Sequence, residues 1–389
     1  MARPARPVAP SEAPISFYVV KGPPDACGQG CDSWIAAEGK IDNAAAARFR
    51  TFMKRIGQTQ LPIYFHSPGG NLDQALVIGN MLRDKKMVAR VGRTVASECG
   101  FEAQDSNVCV KLKQSGRPLH GEVWLRYAEC NSACPYLILG AVRREIAPEA
   151  LLAVHSPRVT LNFTGGVPTR EMRTAALQQT LARADRMVAD YLRKMGADPN
   201  LLTVARSVPF ESMRILTREE IVRFGLDRRE QAETPWTFQN DSRSLIFKTM
   251  TRRPAGEQAF HMTQLRLICV NAGRFQLDYQ RPAPAAGFVS MSLVDDSSRL
   301  NFYFPPRRAA GLEAWALQLN RAQLDKLAAS GQFELSEGTL ANGQWQYQPV
   351  RFTTEGFSQV MDRLLATCPA AKLAGTPLAA RDVVAGADK

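Results

Sequence analysis

The chain has 389 residues, a length that predicts two or three domains rather than one core. Its 45% hydrophobic and 22% charged residues are typical of a folded protein, and no apolar run reaches the roughly 18 to 20 residues that cross a bilayer. The net charge of +12 favours anionic partners, but the basic residues are scattered doublets without interleaved aromatics, so we expect no nucleic-acid partner.

The first fourteen residues, "MARPARPVAPSEAP", contain four prolines and no apolar run of the kind found in a signal peptide. They predict a disordered, proline-rich leader over residues 1–14. An exported protein would then be a mature form whose signal peptide has been removed.

The eight cysteines form three closely spaced pairs and one distant pair, and none of them stands in a CxxC motif. This argues against a zinc ribbon or a thioredoxin-type site, and we expect neither metal nor cofactor. The even count favours disulfides in an oxidising compartment, hence a periplasmic or secreted location. Buried free thiols in a cytosolic protein remain the alternative.

In chain order, the pattern begins as alternating strands and helices. Strands are predicted at 15–20, 34–37 and 88–91, a helix at 44–55, and a second helix from 71 or 72 that follows the turn "SPGG". A strand, a glycine turn and a helix form the first half of a crossover unit, so we predict a parallel sheet.

The segment 92–121 is polar and irregular, and it predicts an inserted loop or hairpin closed by Cys99 and Cys109. Beyond it, "EVWLRYAEC" predicts a strand, "SACPYLILGA" a helix and "ALLAVHSPR" a further strand. A long helix is predicted from about Thr169 to Met195, ended by Gly196.

From about residue 235 the pattern changes to short β-like runs and a few helices. The final helix, "EGFSQVMDRLLATC", carries its apolar side chains on one face. We therefore predict a separate α+β domain over 235–389, with a disordered tail, in which Cys269 and Cys368 tie a strand to the final helix.

Ser132, between a predicted strand and a predicted helix, is a candidate nucleophile. Its neighbour Ala133 offers a backbone N–H for a developing oxyanion, and Gly69 and Gly70 form a similar turn one unit earlier. His155 ends the next strand and could act as the base. Because the carboxyl ends of parallel strands gather at one edge, these residues are expected to meet there.

These stretches resemble the catalytic subunit of Clp protease and the wider Clp protease/crotonase superfamily. The matching segments are "YFHSPGGNLDQALVIGNML", "AECNSACPYLILGA", "LLAVHSPR", the helix after residue 169 and "MRILTREEIVRFGLDRR". More narrowly, the chain is similar to a periplasmic Clp-protease-like group of bacterial proteins. The resemblance covers roughly Ile15 to Arg229 and implies an α/β spiral of βαβ units for a domain over 15–234. The smaller, β-rich α+β domain predicted from the strand pattern follows it.

The same resemblance implies Ser132 as nucleophile, His155 as base and an oxyanion hole at Gly70 and Ala133, with Gly69 shaping the turn. It implies a peptide or protein as substrate. The family forms rings, so a homo-oligomer is an open expectation, since the insertion and the added domain would obstruct ring contacts.

The third member of the triad departs from the family pattern. The alignment puts Pro209 where the protease carries its aspartate, and a proline cannot orient an imidazole. Ser207 or Glu211 could substitute, or a third member could be missing. His66 is an alternative base. A serine–lysine dyad is disfavoured, because no lysine lies between positions 113 and 194.

Three functions follow as hypotheses. The first is a serine hydrolase, most plausibly a peptidase, that works through an acyl-enzyme at Ser132. The second is a catalytically weak or silent binding or assembly protein of the bacterial envelope. The third, crotonase-type acyl-CoA chemistry, is disfavoured by the pairing of Ser132 with His155 and by the expected oxidising compartment.

Overall fold

A computed structural model of the chain describes residues 11–159, 161, 163, 167–240, 244–254, 257–271, 273–283, 289–295, 298–341 and 343–369. It is a mixed α/β protein with several sheets. The first ten residues of the predicted leader and the predicted tail beyond 369 lie outside the described residues. The last residues of the leader are ordered, because Lys40 N–H donates to Ala13 O at 2.8 Å and Pro14 forms a bridge with Lys40.

The strands up to residue 233 are β1 (Ser16–Lys21), β2 (Ser33–Glu38), β3 (Ile63–His66), β4 (Val88–Val91), β5 (Arg93–Ala96), β6 (Leu119–Trp124), β7 (Glu129–Asn131), β8 (Arg143–Glu145), β9 (Leu151–Val154), β10 (Arg214–Ile215) and β11 (Gln231–Glu233). The helices in this part are α1 (Ala45–Ile56), α2 (Leu72–Asp84), α3 (Asn107–Lys113), α4 (Cys134–Leu139), α5 (Arg170–Lys194), α6 (Asn200–Arg206) and α7 (Arg218–Arg223), with a short 3-10 helix at Ser97–Cys99.

The large sheet has the order β5-β6-β1-β2-β3-β4-β8. Its β2, β3, β4 and β8 are parallel, as predicted, and α1 and α2 connect the strands of that part. The strand β1, however, runs antiparallel to β2. The link between β1 and β2 contains no helix, and a short link returns the chain as a hairpin more readily than as a crossover.

The segment 92–121, predicted as an inserted loop or hairpin, has the antiparallel strands of a hairpin and a helix that was not predicted. It adds β5 and β6 to the large sheet as an antiparallel pair and carries α3 between them. Lys113, on α3, donates to the buried carboxylate of Glu38 at 2.7 Å. Burial alone would raise the pKa of Glu38, but the charge and hydrogen bond of Lys113 hold that pKa below its usual value. This buried ion pair anchors the insertion to the sheet.

The run "EVWLRYAEC" is two strands rather than the single strand predicted. Tyr127 takes a left-handed conformation with φ +56° between β6 and β7, which turns the chain out of the large sheet. The strand β7 then joins a small sheet of order β10-β9-β7. In that sheet Asn131 lies beside Ala153, and Ile215 lies on the other side of Ala153.

Beyond residue 233 the strands are β12 (Thr237–Asn240), β13 (Ser244–Arg252), β14 (His261–Asn271), β15 (Arg274–Pro282), β16 (Val289–Asp295), β17 (Ser298–Asn301), β18 (Arg307–Ala309), β19 (Leu312–Asn320), β20 (Gln332–Ala341) and β21 (Gln344–Thr353), and the helices are α8 (Arg321–Ala329) and α9 (Phe357–Ala366). One antiparallel sheet has the order β11-β13-β14-β15-β19-β18, with β12 also on β13, and a second has the order β17-β16-β20-β21. The first sheet begins with β11, so Gln231–Glu233 pairs with the C-terminal strands. This part of the chain has its own buried hydrophobic cluster, which includes Trp236, Phe275 and Phe333.

All eight cysteines lie in the described part of the chain and form disulfides, which confirms the expectation of disulfides and gives the connectivity that the sequence left open. The bonds join Cys27 to Cys31, Cys99 to Cys109, Cys130 to Cys134, and Cys269 to Cys368. Among the described residues, no helix is long and apolar enough to span a bilayer.

Candidate active site

The Ser132 hydroxyl lies 2.8 Å from Nε2 of His155. The two residues come together because β7 and β9 are parallel neighbours, so the loops after both strands leave the small sheet at one edge. The Ser132 N–H donates to Ala153 O at 2.8 Å, which fixes the serine against the strand that carries the histidine. The pair has the geometry that proton transfer from a nucleophile to a base requires.

The backbone of Ser132 is strained. Its φ of +59° lies in the left-handed region, which residues with a Cβ seldom adopt. The disulfide between Cys130 and Cys134 spans this turn, with a Cα–Cα distance of 5.2 Å, and both cysteines are fully buried. The strained conformation is therefore held from both sides. Strain of this kind is concentrated at functional sites in proteins.

The second ring nitrogen of His155 is bound by a backbone carbonyl. Nδ1 lies 2.8 Å from the carbonyl oxygen of Phe210. A carbonyl can only accept, so the network assigns the ring proton to Nδ1 and leaves Nε2 free to accept from the Ser132 hydroxyl. The Phe210 ring also packs on the imidazole, with centroids 5.0 Å apart, and the Arg158 guanidinium lies 5.7 Å from the Phe210 ring centre.

Neither residue that the sequence put forward for the third position contacts the imidazole. The Ser207 hydroxyl donates to Val204 O at 2.8 Å at the end of α6. Glu211 is exposed, and both ring nitrogens of His155 already have other partners within the described chain. Pro209 is adjacent to the residue whose carbonyl takes this position. Sequence patterns could not identify that carbonyl, because every residue type carries one.

Two backbone N–H groups near the Ser132 turn have no hydrogen-bond acceptor among the described residues. Within the described residues, nothing accepts a hydrogen bond from the N–H of Gly70 or of Ala133. The N–H of Gly69 differs, since it donates to the Ser67 hydroxyl at 3.1 Å. Of the three N–H groups that the sequence put forward, those of Gly70 and Ala133 thus lack an acceptor among the described residues, while that of Gly69 is engaged.

Gly69 sets the shape of this turn. Its φ is +94°, and a Cβ added there would lie 2.5 Å from the Cβ of Ser132 and would also collide with the carbonyl of Asn131. A residue with a side chain would thus displace the nucleophile turn. Ser67 supports the same turn, since its hydroxyl donates to Gly39 O at 2.7 Å and accepts from Gly69, a contact that sequence reasoning missed.

His66, the alternative base, lies in the sheet interior. It is 4% exposed, and Nδ1 accepts from the Glu129 N–H at 3.0 Å. Burial lowers the pKa of His66 to about 4. Its lone pair on Nδ1 is thus already used, which gives it a role in the packing of β3 against β7 rather than at the Ser132 hydroxyl.

We compared the chain with protein-family models, with curated proteins and with solved structures, and found no match.

Proposed function

We propose that this chain is a serine hydrolase that forms an acyl-enzyme at Ser132. The observation that carries the proposal is the 2.8 Å contact between Ser132 Oγ and His155 Nε2, on a residue held in a left-handed conformation. In the proposed reaction, His155 removes the hydroxyl proton as Oγ attacks the acyl carbon. The same imidazolium then donates that proton to the leaving group, and water hydrolyses the ester.

The N–H groups of Gly70 and Ala133 are proposed to stabilise the oxyanion, with Gly69 shaping the turn. Such preorganised donors contribute about 3 to 4 kcal/mol each in well-studied acyl transfer. The Phe210 carbonyl would keep the imidazole in the correct tautomer, which is one part of the usual role of the acid in a triad.

Within this class we favour a peptidase. The strand β10 lies at one edge of the small sheet and pairs with β9, which ends just before His155. Ile215 on β10 is 55% exposed, and Met213, the residue just before the strand, is 49% exposed. An edge strand with exposed apolar side chains can bind an extended peptide by strand addition. The resemblance to the Clp protease/crotonase superfamily supports the same class, and with it a spiral of βαβ units. The disulfides favour an oxidising, periplasmic or secreted environment.

The test is labelling by a fluorophosphonate probe. The wild type is expected to form a stable adduct at Ser132, and Ser132→Ala is expected to abolish it. Ser207→Ala is the matched control, since that hydroxyl points to Val204 O. A wild type that retains its disulfides and its cooperative unfolding but takes up no probe would instead indicate the silent binding or assembly protein.

A further inference from the structure

The face of the small sheet beside the nucleophile carries a polar pair that the proposed acyl chemistry does not use. Side chains alternate along a strand, so Glu129 and Asn131 point to one face of β7 and Cys130 to the other. Their amide–carboxylate bond shows this directly, since Asn131 Nδ2 donates to Glu129 Oε2 at 2.6 Å. Asn131 pairs with Ala153 on β9, the strand that ends just before His155, so the polar pair lies on the strand next to the one that leads to the base.

The carboxylate of Glu129 has no cation beside it in the described part of the chain, although the protein has a net charge of +12. Other half-buried or buried carboxylates do have one: Glu38 pairs with Lys113 and Glu149 with Arg126. Desolvation raises the pKa of Glu129, and the hydrogen bond from Asn131 offsets only part of this. A bound cation would relieve that cost.

Asn131 has a second unused group. Its Oδ1 is buried and accepts no hydrogen bond from any described residue. A buried polar atom without a partner costs about 1 to 3 kcal/mol, so such atoms call for an explanation. Because Nδ2 is committed to Glu129, the amide keeps an acceptor without a donor on the residue directly before Ser132.

The backbone beneath the pair is rigid. The N–H of Glu129 donates to His66, and its carbonyl accepts from the Ser67 N–H at 2.9 Å. The N–H of Asn131 donates to Ser67 O at 3.0 Å. The backbone that carries both side chains is therefore fixed, and the 2.6 Å bond from Asn131 Nδ2 to Glu129 Oε2 keeps the amide and the carboxylate together on the strand that leads to the nucleophile.

We propose that Glu129 and Asn131 form a subsite for a basic side chain of the substrate, next to the acyl group that Ser132 attacks. Two acceptors, one of them an uncompensated carboxylate, match a group that carries charge and only donates, as ammonium and guanidinium do. This inference rests on the proposed function, because it assigns the substrate class of the same site.

The experiment compares two peptidyl diphenyl phosphonates that differ only in bearing lysine or norleucine. On reaction, Ser132 Oγ bonds to phosphorus, phenoxide leaves, and the hydroxyl proton passes through His155 to the phenoxide. We expect the wild type to react about tenfold faster with the lysine probe, as one charge-assisted hydrogen bond predicts. In Glu129→Gln, which keeps the bond to Asn131, the ratio is expected to fall to within twofold of unity. Glu122→Gln, an exposed carboxylate elsewhere, is expected to keep the wild-type ratio.

The outcomes separate the two proposals. If a small fluorophosphonate labels Ser132 but the lysine and norleucine probes react equally fast, the subsite is wrong and the nucleophile stands. If no probe reacts, the proposed function fails, and the subsite is decided by ligand-observed NMR on Ser132→Ala with N-acetyl-lysinamide and N-acetyl-norleucinamide. A lysine preference that Glu129→Gln removes would retain it as a binding site. Equal binding of the two amides would overturn it.

Discussion

Two disulfides of the same size allow the role of the nucleophile turn to be separated from stability. Cys130–Cys134 and Cys27–Cys31 both join residues four apart, with Cα–Cα distances of 5.2 and 5.1 Å. Only the first encloses Ser132. We expect both double Cys→Ala variants to unfold more easily, and only the variant at 130 and 134 to lose reactivity.

The loss of stability follows from loop closure. Opening a loop of about five residues restores unfolded-chain entropy worth about 2 kcal/mol at 25 °C, which should be the same for both pairs. The loss of reactivity follows from the backbone of Ser132, since a left-handed residue with a Cβ costs about 1 to 2 kcal/mol. Once untethered, the turn can relax by that amount, which lowers the population of the reactive conformer about tenfold.

Urea unfolding without reductant measures the first quantity, and the pseudo-first-order rate of fluorophosphonate labelling measures the second. The double variants leave no unpaired cysteine from the deleted bond. The reasoning would be refuted if the variant at 130 and 134 were labelled as fast as the variant at 27 and 31. That outcome would mean that Ala153 and Gly69 hold Ser132 without the disulfide.

Two further predictions test the surroundings of the site. Gly69→Ala is expected to destabilise the fold by roughly 2 kcal/mol or more and to abolish labelling, because the added Cβ would collide with Ser132. Gly30→Ala is the control: it also has a positive φ but lies in open space, so it should cost about 1 kcal/mol and leave labelling intact. Equal effects of the two variants in the unfolding and labelling assays would contradict this prediction. Because the pKa of His66 is lowered to about 4 in the folded chain, the unfolded chain binds a proton there more readily between about pH 6.5 and pH 4. The free energy of unfolding should therefore decrease by roughly 3 kcal/mol as the pH falls through this range. Urea unfolding of His66→Asn should lack this part of the pH dependence, and parallel pH profiles for variant and wild type would exclude it.

The elements with strong periodicity were predicted well from the sequence. The long helix was expected from about Thr169 to Met195 and is found at Arg170–Lys194, and the strand at 88–91 matches β4. Their apolar spacing and end signals are local, so no tertiary information was needed. The presence of disulfides was also predicted, from the even number of cysteines, although their connectivity was left open.

The predictions that failed depended on tertiary contacts. The segment 92–121 was predicted as an inserted loop or hairpin, and its antiparallel strands fit the hairpin. The prediction missed α3, which Lys113 holds against the sheet by pairing with a carboxylate 75 positions earlier. The run "EVWLRYAEC" has the composition of one strand, yet the strand is interrupted at Tyr127, whose φ is positive. A tyrosine gives no sequence signal for a positive φ, since side chains with a Cβ seldom adopt it. In both cases the deciding interaction involves the fold and not the local pattern.

The third partner of His155 shows why the missing aspartate changes the expected chemistry by less than the sequence suggests. In a well-studied triad, replacing the acid by its amide lowers turnover about ten-thousandfold because the imidazole takes the wrong tautomer. The Phe210 carbonyl cannot donate, so it enforces the correct tautomer just as a carboxylate does. What it lacks is the negative charge that stabilises the imidazolium formed during attack. The proposed enzyme should thus turn over more slowly than an enzyme with a complete triad. It should still be active, because its base is correctly oriented.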